Sequence, residues 1–331
     1  MAARFRRALY ILTPPALGVW AIDRKLSALE AKYPALPVDD STCSAALRTP
    51  SNPGVKHTPH IDIYSARVRY RDWIPHEWLD PQMLKFVDDP LFQLMMNAAH
   101  LQEWPTVFFS SRLMRLEGSI IGYFSGCGFQ PGDRGDSKQG FNPIFDPARM
   151  LSGQNNRRLL NGALTVERPP TDFDPYQPYD WNPYGLLVSW KMPNGPRLFF
   201  EKIARWGYPW RLMSGGRHEF TVEGPYYIPG RDDEGLFFEF RFASAHDYQI
   251  VPEEGDLSRQ KTIPKWTARL HRGYARLLLD RAVKENIGLS RLTVDAFGSE
   301  RPKLDKDDYE DDHEVGHGVV YEVDNEEDDD D

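Results

Sequence analysis

The chain has 331 residues, 40% of them apolar and 13% aromatic, and a formal net charge of −9. That aromatic share excludes a disordered body, and the length allows a sizeable core without disulfide or metal staples. The charge is uneven: between Asp305 and Asp331 fifteen acids face Lys306 alone, so residues 1–304 carry +5, mostly before residue 26, and lack the basic stripe that nucleic acid requires.

Residues 1–30 open with Arg4, Arg6 and Arg7, followed by an uncharged run from Ala8 to Ile22. As a helix that run would rise about 22 Å, short of a hydrocarbon slab of about 30 Å, and Pro14-Pro15 opposes one continuous helix. Three readings stay open: a short membrane anchor, a targeting peptide of mitochondrial type, and a segment packing on the body. Membrane contact, if present, is expected through residues 1–25. Residues 31–59 are rich in Pro, Ser and Thr and read as a linker. The two cysteines, Cys43 and Cys127, are too few for a disulfide framework or a four-cysteine zinc site, and no Asn-x-Ser/Thr sequon occurs. An intracellular location, membrane-associated or mitochondrial, is the reading these features favour.

The body, residues 60–290, starts with a strand from His60 to Arg71, whose Tyr64, Ala66, Val68 and Tyr70 alternate inward against Arg67, Arg69 and Arg71. A helical stretch is expected from Asp80-Pro81 to Leu101, split at Pro90, and a second from Ser110 to Phe124. The second places Phe109, Leu113, Leu116, Ile120 and Phe124 in a core-facing stripe. The Gly-rich stretch Gly126–Gly140, with Arg134-Gly135-Asp136, reads as a surface loop and not as a phosphate cradle.

The second half is β in character, with strands expected at Ala163–Arg168, Leu186–Met192, Leu198–Ile203, His218–Glu223 and Leu236–Ala243. The last puts Phe238, Phe240 and Phe242 on one face and Phe237, Glu239 and Arg241 on the other. Glu219 and Glu239 are expected on the solvent face. The Pro/Tyr-rich insertion Pro169–Pro183 reads as a lid or rim loop; its Asp172-x-Asp174 lacks the α/β setting of a metal-nucleotide site. A closing helix from Ile263 to Asn286, ending near Gly288, carries an apolar stripe of Ile263, Trp266, Leu270, Tyr274 and Leu277.

Residues 291–331 read as a disordered acidic tail. Its His313-Glu314-Val315-Gly316-His317 has the spacing of a zinc protease helix, but like charges around it resist helix formation, and no cofactor or metal is expected.

Strand, two helices, a run of antiparallel strands and a long last helix is an α+β order that resembles the START-like, polyketide-cyclase-like helix-grip proteins. The segments Gly216-Arg-His-Glu-Phe-Thr-Val222 and Thr267-Ala-Arg-Leu-His-Arg-Gly-Tyr-Ala-Arg-Leu-Leu278 carry the local likeness. The resemblance implies a curved antiparallel sheet gripped by the C-terminal helix, with a groove between them for a hydrophobic small molecule, lipid or polyketide-like, in a secondary-metabolite setting. Candidate wall residues are then Phe220, Phe238, Phe240, Phe242, Trp266 and Tyr274. For cyclase or dehydratase chemistry the candidate proton-transfer groups are His218 and His271, with His246-Asp247 as a neighbouring His–carboxylate pair. The competing reading is a membrane-associated structural or assembly factor without catalysis.

Overall fold

A computed structural model describes residues 18–73, 86, 89–142, 156–170, 185–231 and 235–297. The architecture is α+β. Six strands, β1 (Lys56–Arg69), β2 (Arg158–Leu159), β3 (Leu164–Arg168), β4 (Leu186–Lys191), β5 (Gly215–Tyr227) and β6 (Leu236–Gln249), form one open sheet in the order β1-β6-β5-β4-β3-β2. Every neighbouring pair is antiparallel. The helices are α1 (18–32), α2 (Ala45–Arg48), α3 (Tyr70–Trp73), α4 (Pro90–Ser110), α5 (Arg112–Phe124), α6 (Asn194–Arg205) and α7 (Lys265–Phe297).

The alternation in β6 decides what the sheet buries, because successive side chains leave a strand on opposite faces. Its inner face meets α3 and α4 in an aromatic stack: Phe240 lies 4.0 Å from Trp73 and 5.2 Å from Trp104, and Phe242 stacks on Phe108 at 5.0 Å between ring centroids. Phe220 on β5 joins at 4.9 Å from Phe108. Trp104 directs its indole N–H to the Arg241 carbonyl at 2.9 Å, so the ring is buried without an unmet donor.

The outer face is covered as well, by the stretch read as a linker. Residues 33–49 are part of the body. Tyr33, Cys43 and Leu47 are buried, and Cys43 and Leu47 pack with Leu187, Ala243 and Ala245. Polar staples hold this cover. Buried Arg217 donates to the carbonyls of Leu47 and Thr49 and to Asp247, and Glu219 accepts from the Ser44 backbone N–H at 2.9 Å and pairs with Arg168. Glu219 is therefore 1% exposed and not a solvent-face residue; alternation gave its side of the sheet but not what lies over that side. Glu239 is buried too, held by Arg67 and Arg241.

Three further expectations change. Leu198–Ile203 is not a strand but the middle of helix α6, in which apolar and charged residues alternate at helical spacing and Leu198 and Phe199 stand exposed. In α5 the buried residues are Met114, Gly118 and Gly122, whereas Leu116, Ile120 and Phe124 are exposed. The glycines decide this: a Cβ at Gly122 would stand 2.4 Å from the Gln130 carbonyl oxygen, so the returning loop packs against that face. In α7 the buried positions are Ala275, Leu278, Leu279, Ala282 and Val283, while Trp266 and Leu270 are exposed, because the first turns of the helix overhang the sheet. The helix also runs past Gly288 to Phe297.

Helix α1 packs along α7 in parallel. Asp23 and Glu30 pair with Arg269, Leu26 fills the gap above Gly273, and Lys32 and Tyr33 bond Asp280. Residues 1–17, the Pro169–Pro183 insertion beyond Pro170, and the His313–His317 motif lie outside the described residues, as does the helix start expected at Asp80-Pro81. Among the described residues no helix is long and apolar enough to cross a membrane.

Candidate functional site: a cavity under the last helix

Beyond the aromatic stack, the inner face of the sheet turns polar. Register places His218, Ser244 and Asp62 side by side on β5, β6 and β1, and Trp190, Gly216, His246 and His60 in the next row. A bulge between His57 and His60 inserts one residue into β1, so both imidazoles fall on the inner face. Gly216 is required here: a Cβ would lie 2.2 Å from the Ala245 carbonyl oxygen and 2.9 Å from the Trp190 indole nitrogen, which crosses that position.

Where the stack ends, the sheet and α7 do not close on each other. A cavity of about 110 Å³ separates them. Its apolar wall comes from Phe108, Phe109 and Met114 on one side, Phe220 and Phe242 on the sheet, and Ala275 and Leu278 on α7. Its polar groups are His218, Ser244, His271, Tyr274 and Glu117.

His271 reaches down from α7 to β6, its Nε2 2.8 Å from His246 Nε2; Ser244 Oγ is 3.3 Å from the same His246 atom. Two imidazole nitrogens at that distance share one proton, one donating and the other accepting, so the two facing Nε2 atoms cannot both carry one. Burial lowers the His246 pKa well below the usual histidine range, and the neighbouring His271 adds to this. Burial also lowers His271, opposed by the Asp62 carboxylate. His218 is pushed down to about 3, by burial first and by His271 second. Its Nδ1 is buried with no hydrogen-bond partner among the described residues, and the surface the ring still exposes faces the cavity. Across the cavity Tyr274 donates to Glu117 Oε2 at 2.5 Å; burial, then the Glu117 charge, raises its pKa and keeps it a phenol.

Such a site can do one kind of chemistry directly. A neutral imidazole has one ring nitrogen free to accept a proton, and His271 is the member of the pair that lines the cavity. Among the described residues no three His, Cys, Asp or Glu side chains are grouped to hold a metal ion.

Comparison with protein-family models, curated proteins and solved structures returns no match. The local geometry therefore has to carry the functional reading.

The structure brings five of the sequence-derived candidates to one place: His218, His271, Phe220, Phe242 and Tyr274 all line the cavity. Phe238 and Phe240 lie outside it, in the solid stack with Tyr70, Trp73 and Trp104. Trp266 is 61% exposed and lines a separate surface groove with Tyr208 and Trp210. Asp247 points to the opposite face from His246 and bonds Arg217. Ser244 and Asp62 were readable by carrying the alternation of Phe238–Phe242 and Tyr64–Val68 two residues further. Glu117 and Met114 were not, because the helix face they occupy is set by the glycines of α5.

Proposed function

We propose that this chain is a helix-grip protein of START-like arrangement that takes an apolar small molecule between its sheet and α7. The strand order, with β1 beside β6 and the last helix laid across the inner face, supports the fold reading. The observation that carries the functional reading is the cavity itself, which has an aromatic wall and has His218 and His271 among its lining residues.

Its size narrows the ligand. A dry cavity of about 150 Å³ holds benzene, so about 110 Å³ limits the enclosed part of a ligand to at most a single small ring or the end of an acyl chain. A larger lipid or polyketide would enter by one end only, or after α5 and α7 separate. With Tyr274 turned to Glu117 and the imidazoles neutral, the cavity lining offers no cation, so an uncharged hydroxyl or carbonyl suits it better than a carboxylate. If the bound molecule is processed, His271 is the group placed to take a proton from it and to return that proton to a departing hydroxyl or to the ring carbon. A cyclisation or dehydration through an enol fits this arrangement.

Native mass spectrometry of the purified full-length chain, followed by thermal shift against phenols, cyclic ketones, fatty acids and aromatic polyketides, tests this reading. A retained small molecule, or stabilisation by the neutral ring compounds, is the expected result. A panel without effect on either measurement would remove the proposal.

A further inference from the structure

The end of the molecule where α1 and α7 begin is rich in rings that nothing in the fold covers. In α6 and the turn after it, Phe199 is 59% and Trp206 74% exposed, beside exposed Leu198. Phe200, Tyr208 and Trp210 form a groove with Ile263 and Trp266, and Lys261 ties α6 to the approach of α7 through the Ala204 carbonyl at 2.9 Å, so these elements share one end. Helix α1 runs parallel to α7, with Asp23 on Arg269. This places exposed Trp20 about one turn before that contact, and exposed Ile22 beside it, at the same end as Trp266.

The charge there is positive. Arg24, Lys25, Lys202 and Arg205 are exposed, Arg24 and Lys202 lying over Trp20 and Trp206, while Asp23 and Glu201 are taken by Arg269 and Arg211. Exposed Trp and Phe flanked by Lys and Arg are the features of an interfacial membrane contact.

We propose that this aromatic-basic end docks on an anionic lipid surface, α6 lying in the headgroup layer with Phe199 and Trp206 inserted. The turn Pro252–Glu254 borders α6 and brings Glu253 and Glu254 to one flank, so ring insertion as well as charge holds the contact.

Co-sedimentation of the full chain with vesicles of phosphatidylcholine, alone or mixed with phosphatidylserine, tests the docking. Binding to the mixed vesicles is expected, weakened but not abolished by salt. The triple variant Leu198→Ser, Phe199→Ser, Trp206→Ser should lose at least about tenfold in bound fraction while its melting temperature stays unchanged. Failure of the parent to sediment with mixed vesicles would overturn the proposal. So would a variant that sediments like the parent, which would leave contact to the N-terminal segment alone. A concentration-dependent dimer that the variant abolishes, without vesicle binding, would assign the patch to a second copy and overturn it equally. None of these outcomes touches the cavity.

Discussion

Five histidines, His57, His60, His218, His246 and His271, all have pKa values lowered chiefly by burial. Unfolded, they would take up protons near pH 6.5; folded, they resist. The unfolded chain then binds more protons as the pH falls, so stability is full above about pH 6.5 and declines below it. For His218 the decline continues to its folded value of about 3. At pH 5 that residue alone costs about 2 kcal/mol. Denaturant midpoints measured from pH 8 to pH 5 should fall steadily, and His218→Phe should flatten the curve. A midpoint independent of pH would show that the cluster is solvated. The carboxylate of Asp280 works at a lower pH. Burial raises it, but hydrogen bonds from Lys32, Lys284 and Tyr33 outweigh this and hold it at about 2. Its contribution is present above the ordinary aspartate range and lost as the pH falls towards 2.

At the level of elements, two attachments hold the layers together, and each can be cut singly. Asp280 joins α1 to α7. Asp280→Ala strips Tyr33 of its buried partner and should cost about 1–3 kcal/mol, read as a lower urea midpoint together with faster proteolysis before Tyr33. Glu219 joins the 33–49 cover to the outer face of the sheet. Glu219→Ala leaves the Ser44 N–H without its acceptor and Arg168 without its carboxylate, a loss of about 2–4 kcal/mol. Hydrogen exchange should quicken at Ser44–Thr49 before anywhere in β6; equal protection in both proteins would mean that Cys43 and Leu47 hold the cover unaided.

These elements also mark what was legible in the sequence. The Phe-rich alternation of β6 and the strand around Tyr64 could be read directly, since period-2 patterning survives whatever packs on either side. Helix faces could not. Leu116, Ile120 and Phe124 have core spacing yet are exposed, and only the close approach to Gly118 and Gly122 turns α5 the other way. Likewise Leu198-Phe-Phe200 suits a strand by composition, but Phe200, Glu201 and Ala204 share one covered face at helical spacing while Leu198 and Phe199 stand exposed.

For the molecule as a whole, the packing is tight at one end of the inner face and open at the other. Trp73, Trp104, Phe238 and Phe240 fill the first end, whereas from Phe242 onwards the facing side chains shrink or turn polar, through Ser244 and Ala275 to the histidine pair. A sequence reveals which residues face inward but not whether facing layers meet, because that depends on summed volumes across elements far apart in the chain. Candidate site residues on the sheet could thus be named from alternation, whereas the division between stack and cavity could not. The proposed function requires that cavity to be a binding site. Calorimetric titration with p-cresol, comparing the parent with Ala275→Phe, which fills the space from α7, measures this most directly. Saturable binding by the parent, weakened at least about tenfold by the filled cavity, is the expected result; no saturable heat in the parent, or equal affinity in both proteins, would contradict it.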